Sequence, residues 1–168
     1  MLKHLLSGPP ALQLAVAESM TGGRLQALIT AESGASAFFL GGLTAYTLAQ
    51  KIRHLGVARE IAEPVDCVSA EVALQMARGA GAFFGADLAM ATTGYAEPNP
   101  DRGFPTPGVH WALCHRLPDN REVHRAGFLA LAGASREQAQ QRAARAAYAA
   151  LTAYLETLRG EPSRPPTE

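Results

Sequence analysis

The stretch that decides the fold is LAVAESMTGGRLQALI, from Leu14 to Ile29. It begins as a near-continuously apolar run, which is typical of a strand that is covered on both faces of a sheet. It then passes through Glu-Ser-Met-Thr and two glycines into the spacing of an amphipathic helix. The pattern therefore predicts a strand over 12–17, a glycine turn, and a helix over 24–30, which together form the start of an α/β unit.

The same alternation of strands and helices continues along the chain. Further strands are predicted over 43–46, 86–94, 109–117 and 121–131, and further helices over 48–55, 70–84 and 135–158. Segments 57–66 and 95–108 are predicted as loops, and the second of them contains four prolines. Because strands alternate with helices until a strand pair precedes the last helix, we expect a three-layer α/β/α sandwich with a mostly parallel sheet and an antiparallel edge.

Residue types at the helix ends support these boundaries. Thr47 and Ser69 stand where helix N-caps are expected, and Ser135 with Gln138 has the spacing of a capping box. Gly56 stands where a helix C-terminus favours glycine. The sequence predicts a single domain over 1–160 and a disordered tail over 161–168.

Composition restricts the classes of function. The 168 residues are 48% hydrophobic and 18% charged, which is typical of a globular protein, and fifteen basic residues balance fifteen acidic ones. This balance favours neither nucleic acid nor an anionic membrane as a partner. Gly8-Pro9-Pro10 interrupts the apolar N-terminal run, so we do not interpret it as a signal peptide. Cys67 and Cys114 are predicted to be buried thiols of a cytoplasmic protein.

Ligands of open α/β sheets bind outside the carboxyl ends of the strands. Segments 19–23, 46–51 and 93–108 follow the first three strands, so we expect them to form a cleft for a small-molecule substrate. Ser19 is either a nucleophile or an ordinary helix-capping serine. Gly22 and Gly23 either make a tight turn or present N–H groups to a phosphate or an oxyanion.

A serine nucleophile needs a base. The histidines all lie outside the three segments, at positions 4, 54, 110, 115 and 124. Lys51 is the better candidate, because the helix N-terminus and partial burial would favour its neutral amine, although a solvated surface lysine fits the pattern too. Tyr46 could relay or orient the proton, or be a half-buried aromatic residue. His110 and Cys114 face one way on their strand and His115 the other, so no metal site is predicted.

Five segments together resemble the CinA C-terminal domain family, which includes the nicotinamide-nucleotide amidases. They are AVAESMTGG, FFLGGLTAYTLAQKIRHLGV, VSAEVALQMARGA, GADLAMATTGYAEP and PTPGVHWAL. The resemblance covers about 12–158, in the family's order and spacing, and is that of a stand-alone domain without the molybdopterin-binding-like domain of the two-domain members.

The resemblance implies hydrolysis of the carboxamide of nicotinamide mononucleotide to nicotinate mononucleotide and ammonia, without a metal or cofactor. It places a Ser-Lys-Tyr arrangement on Ser19, Lys51 and Tyr46. It also implies a substrate-binding set, in which the first three residues would hold the oxyanion: Thr21, Gly22, Gly23, Thr93, Gly94 and Arg136.

The chain departs from the family mainly around the expected substrate loop. Glu97 replaces a glycine, Pro105 replaces a lysine, and of a Gly-Asp-Arg segment only Arg136 is kept. The Asn and Glu that precede the family's lysine are also absent before Lys51. Because the catalytic trio is retained and the loop is not, two alternatives stay open: hydrolysis of another amide that lacks a phosphate, and a non-catalytic domain that binds a nucleotide or a protein. The alanine-rich last helix could pack on its own sheet or on a second subunit.

Overall fold

The computed structural model describes residues 2–160, which form one five-stranded sheet with helices on both faces. The strands are β1 (Leu14–Glu18), β2 (Phe39–Thr44), β3 (Leu88–Tyr95), β4 (Gly108–Arg116) and β5 (Glu122–Ala130). The helices are α1 (Leu2–Ser7), α2 (Arg24–Thr30), α3 (Leu48–Leu55), α4 (Arg59–Ala62), α5 (Ala70–Phe84) and α6 (Arg136–Arg159). Short 3-10 turns cover Ala35–Ala37, Glu63–Val65 and Pro100–Arg102.

The strand order is β2-β1-β3-β4-β5. β1 pairs in parallel with β2 and β3, whereas β4 pairs antiparallel with both β3 and β5. Four strands therefore run in one direction and β4 alone opposes them. This arrangement confirms the predicted α/β sandwich and places its antiparallel part in the β4–β5 hairpin.

The two faces of the central strands carry side chains of different size. Leu14, Val16, Leu88 and Met90 pack with α1, α2 and α6, and Ala15, Ala17, Ala89 and Ala91 pack with α3 and α5. This division follows from the two-residue period of a strand. The alanine face lets α5 lie close to the sheet. α5 also lies close to α3, since a Cβ added at Gly79 would collide with the carbonyl oxygen of Leu55.

Two predicted boundaries were wrong. β2 begins at Phe39 and contains Gly41 and Gly42, which we expected to precede the strand. A Cβ at Gly42 would overlap side-chain atoms of Val16 and Gln26, so this glycine serves close packing against β1 and α2 rather than a turn. The predicted loop 57–66 contains α4 and a 3-10 turn, because buried Ala62 anchors a single helical turn there.

The predicted helix ends agree with the structure except at one cap. Ser69 accepts a hydrogen bond from the Val72 amide, and Ser135 with Gln138 makes both bonds of the capping box. Thr47 is the N-cap residue of α3, but its side chain makes no capping hydrogen bond. The predicted tail over 161–168 lies outside the described residues.

None of the helices within residues 2–160 combines the length and the hydropathy that a bilayer-spanning segment needs. Cys67 and Cys114 are buried and form no disulfide.

Candidate active site

A cavity of about 490 Å³ lies at the carboxyl ends of β1 and β3. Residues 19–20, 46–48, 51, 66–68, 93–99 and 136 line it. All three predicted loop segments contribute, and segment 66–68 and the first residue of α6 complete the wall.

Ser19 and Lys51 meet at the buried end of this cavity. Lys51 Nζ donates a hydrogen bond to Ser19 Oγ at 3.0 Å and a second one to the Tyr46 carbonyl at 3.3 Å. Only 2% of Lys51 and 6% of Ser19 is exposed. Burial lowers the pKa of Lys51, and the nearby Cys67 and Asp66 partly oppose this shift. The pair therefore has the contact and the direction of pKa shift that a serine nucleophile and a lysine base require.

Glu18 fixes the loop that carries Ser19. Its side chain is fully buried, and its carboxylate accepts hydrogen bonds from the amides of Gly23, Leu25 and Gln26 at 3.0, 3.1 and 2.8 Å. These amides belong to the N-terminus of α2, where a negative charge is favourable. Sequence reasoning assigned Glu18 no role. The only sequence signal for this role is its position, five residues before Gly23, the N-cap residue of α2.

Residues 21–23 are not placed where the predicted oxyanion donors should be. The Gly22 amide donates to the Ser19 carbonyl at 3.1 Å, and the Gly23 amide donates to Glu18. Thr21 is fully buried and its hydroxyl pairs with that of Thr92 at 2.8 Å. None of the three lines the cavity, and the amides of both glycines are used within the turn. Met20, which follows Ser19 directly, lines the cavity instead.

Tyr46 contacts the pair through its backbone rather than its ring. Its carbonyl accepts from Lys51, whereas its hydroxyl accepts from Arg136 Nη2 at 2.9 Å. The residue is 53% exposed. The structure thus brings Tyr46 to the site, but directs its phenol to Arg136 and not to Ser19.

The remaining predicted residues all line the cavity. Thr93 donates a 2.7 Å hydrogen bond to the Cys67 carbonyl, which ties β3 to segment 66–68. Gly94 permits the close pairing of β3 and β4, since a Cβ there would collide with the Gly108 carbonyl. Arg136 reaches the cleft, where its Nη1 contacts Glu97 Oε2 at 2.7 Å.

Asp66 and Cys67 line the cavity wall, and the sequence analysis did not predict their part in the site. Both have positive φ, 49° and 63°, which is uncommon for residues other than glycine. The Tyr95 hydroxyl donates to Asp66 Oδ2 at 2.7 Å, and burial together with this contact raises the pKa of Tyr95 to about 12. Strained backbone of this kind persists where surrounding contacts hold it. No local pattern in the loop 57–66 signals such a conformation.

The histidines lie away from the cavity. His115 Nδ1 pairs with the Tyr154 hydroxyl at 2.8 Å, and His110 packs against Phe128. Across residues 2–160 there is no cluster of three or more His, Cys, Asp or Glu side chains that could hold a metal ion.

The comparisons with known proteins identify the family. The model of the CinA C-terminal domain matches residues 6–155. The chain belongs to the CinA C-terminal domain family. A CinA-like protein of Chlorobium limicola is 37% identical over 151 residues, or 89% of this chain. A CinA-like protein of Geotalea daltonii is 52% identical over 85 residues, or 51% of it. The alignments span only 35% and 21% of the lengths of these two relatives.

Solved CinA-family structures share the fold over nearly the whole chain. The competence damage-inducible protein A of Klebsiella pneumoniae superposes with a TM-score of 0.80 at 30% identity, covering 94% of this chain and 92% of that one. A CinA superfamily protein of Escherichia coli gives 0.78 at 31% identity, covering 90% and 84%. These values confirm both the resemblance and the fold class predicted from the sequence.

Proposed function

We propose that this CinA-family chain is an amidohydrolase that cleaves a primary carboxamide by a Ser19–Lys51 mechanism. The buried 3.0 Å contact between Lys51 Nζ and Ser19 Oγ carries the proposal. The resemblance supplies nicotinamide mononucleotide as the reference substrate, with nicotinate mononucleotide and ammonia as products. A non-catalytic binding domain would have no need for a buried lysine against a serine, because burying an amine is costly.

The geometry supports a two-step reaction. The Ser19 oxygen attacks the carboxamide carbon while the neutral Lys51 amine takes the serine proton, and the carbonyl electron pair moves to the oxygen. When the tetrahedral intermediate collapses, the carbon–nitrogen bond breaks and Lys51 returns the proton to the departing ammonia. Water then attacks the carbonyl carbon of the Ser19 ester while Lys51 accepts its proton. When this second tetrahedral intermediate collapses, the bond to Ser19 Oγ breaks and Lys51 returns the proton to that oxygen, which releases the acid and restores the free serine and the neutral amine.

Lys51 is suited to both directions of proton transfer because it is buried and its pKa is lowered. The Tyr46 carbonyl holds the amine beside Ser19. The amides of Gly22 and Gly23 take no part in oxyanion stabilisation, since both already donate within the turn.

We also propose that the reaction takes place in the cytoplasm, on a small-molecule substrate. The free buried thiols of Cys67 and Cys114 support a reducing compartment.

Ammonia release by Ser19→Ala tests the mechanism. Wild type is expected to release ammonia from the carboxamide, and the variant to lose roughly 10³-fold or more of that rate, because it lacks the attacking oxygen. Ser36→Ala, which changes an exposed serine in a 3-10 turn, is the matched control and should keep the wild-type rate. Equal rates in Ser19→Ala and wild type would exclude Ser19 as the nucleophile.

A further inference from the structure

The rim of the cavity carries a carboxylate where a phosphate-binding cleft would need a cation. Within the described part of the chain, the basic residues that line the cavity are Lys51 and Arg136. Lys51 lies at the buried end and is engaged with Ser19. Arg102 lies in the adjoining 3-10 turn, outside the lining. Within residues 2–160, Arg136 is therefore the one lining cation that could meet a phosphate at the rim.

Two of the five N–H groups of the Arg136 guanidinium are already engaged with protein groups. Its Nη1 contacts the Glu97 carboxylate at 2.7 Å and its Nη2 donates to the Tyr46 hydroxyl at 2.9 Å. Arginine binds phosphate best when two parallel N–H groups are free to form a fork. In this structure the Nη1 and Nη2 edge is shared between Glu97 and Tyr46, so a phosphate would have to displace both contacts to bind there as a fork.

The Arg136–Glu97 pair is exposed, with 49% and 63% of the two side chains accessible, so a phosphate could compete for Arg136. Breaking the contact would still leave the carboxylate close by. Ala96, the preceding residue, is buried in a cluster with Met20 and Val109, and Pro98 follows. Residue 97 is thus anchored at the cavity wall, and its negative charge would stay beside the phosphate.

The total charge of the cavity wall also disfavours a phosphate. Asp66 and Glu97 are both lining residues, and among residues 2–160 Arg136 is the one basic lining residue apart from the Lys51 base. When Lys51 is neutral, as the mechanism requires, these side chains carry more negative than positive charge. A phosphate adds about −1.5 to −2 charges at pH 7 and would be repelled. A pyridinium carboxamide without a phosphate is cationic and would be attracted.

We infer that this cleft selects a carboxamide that carries no phosphate, and that Glu97 is the residue that determines this selectivity. The inference rests on the proposed amide hydrolysis and narrows its substrate class to phosphate-free, cationic or neutral carboxamides. This selectivity would explain in physical terms why Glu97 replaces the glycine that the family has at this position.

Two probes that differ only in the phosphate test the inference: nicotinamide riboside and nicotinamide mononucleotide. We expect wild type to favour the riboside in kcat/KM by about tenfold or more. Glu97→Gln keeps the shape and a hydrogen-bond acceptor for Arg136 but removes the charge, and should move the ratio toward the mononucleotide by about tenfold. Glu137→Gln removes the same charge from an exposed position of α6 outside the cavity and should leave the ratio unchanged.

Binding to Ser19→Ala separates this inference from the proposed reaction. Calorimetric titration of that variant with each probe reports selectivity without hydrolysis. If neither probe is hydrolysed by wild type but the riboside binds more tightly, and Glu97→Gln abolishes the difference, the proposed reaction fails and the selectivity stands. Equal or tighter binding of the mononucleotide, an unchanged ratio in Glu97→Gln, or binding of neither probe would overturn the inference.

Discussion

The floor and the rim of the cleft hold their polar groups in different ways. The floor consists of Ser19 and Lys51, which line the cavity, together with Glu18, which supports the turn of Ser19 without lining the cavity. All three are less than a tenth exposed and bonded to protein groups. The rim consists of Tyr46, Glu97 and Arg136, whose side chains are largely exposed and bonded mainly to one another. The difference separates the groups that would perform chemistry from those that would choose a substrate.

This separation has an energetic reason. A buried polar group that loses its partner costs the full penalty of its desolvation, so the floor tolerates little change. An exposed ion pair such as Arg136–Glu97 contributes at most about 1 kcal/mol. Rim residues can therefore change while the core packing stays intact, which agrees with the retention of Ser19 and Lys51 beside an altered loop 95–108.

Among the variants that leave Ser19 in place, the largest effect is expected from Lys51→Met. Methionine has a similar length but no amine, so the Ser19 proton loses its acceptor and ammonia release should fall by roughly 10³-fold. The chain contains one other lysine, the exposed Lys3, and Lys3→Met is the matched control. Steady-state kinetics on both variants measure this loss, and a Lys51→Met enzyme with near wild-type kcat would exclude Lys51 as the base of the reaction.

Glu18→Ala tests whether the floor is also a folding element. Three amides at the start of α2 would lose a charged acceptor, so the free energy of unfolding should decrease by about 3 kcal/mol. Urea denaturation measures it. Glu71→Ala removes an exposed glutamate from the first turn of α5 and should cost less than about 1 kcal/mol. Equal losses in the two variants would show that Glu18 acts only through the helix dipole.

The lowered pKa of Lys51 predicts a pH dependence of both activity and stability. Activity should rise with pH, up to about tenfold per pH unit, until the amine is neutral, because only the neutral amine accepts a proton. Between this lowered pKa and the ordinary value of 10.5, the unfolded chain binds more protons than the folded one. The free energy of unfolding of wild type should therefore increase with pH across this window relative to Lys51→Met. A difference between the two proteins that is constant with pH would contradict the shift.

Tyr46→Phe should have the smallest effect. The phenol contacts Arg136, while Lys51 is held by the Tyr46 carbonyl, which the variant keeps. We expect a change of no more than about fivefold, in KM rather than kcat. Tyr154→Phe, which alters a hydroxyl that pairs with His115 away from the cavity, is the control. A loss of kcat comparable to that of Lys51→Met would return the phenol to the proton-transfer step.

The β1–turn–α2 unit could be predicted from sequence because its signals are local. An apolar run, two glycines and a helical period each mark their own element. The start of β2 could not, since Gly41 and Gly42 look like a boundary and are explained only by the close approach of Val16, Gln26 and Phe84. α4, with four residues, is too short to show a helical period.

The candidate site shows the same difference between residues with local sequence signals and residues placed by contacts distant in sequence. Ser19 and Lys51 were predicted from their positions after strands and at a helix start. The Gly22 amide is used by the Ser19 carbonyl and the Gly23 amide by the Glu18 carboxylate, and residue spacing alone does not predict either bond. The conformations of Asp66 and Cys67 likewise depend on contacts from β3, such as the bond from Thr93.

Tyr46 connects floor and rim through two atoms of one residue, the carbonyl on Lys51 and the phenol on Arg136. A ligand that draws Arg136 toward itself pulls on the residue that orients the amine. If that pull displaces the Tyr46 carbonyl, ligand occupancy and the proton affinity of Lys51 would be thermodynamically coupled. Because such coupling is reciprocal, whatever factor the ligand imposes on the proton equilibrium, the proton imposes on ligand affinity. Ligand binding in the cleft would in this way change the protonation of the base before any covalent bond is broken.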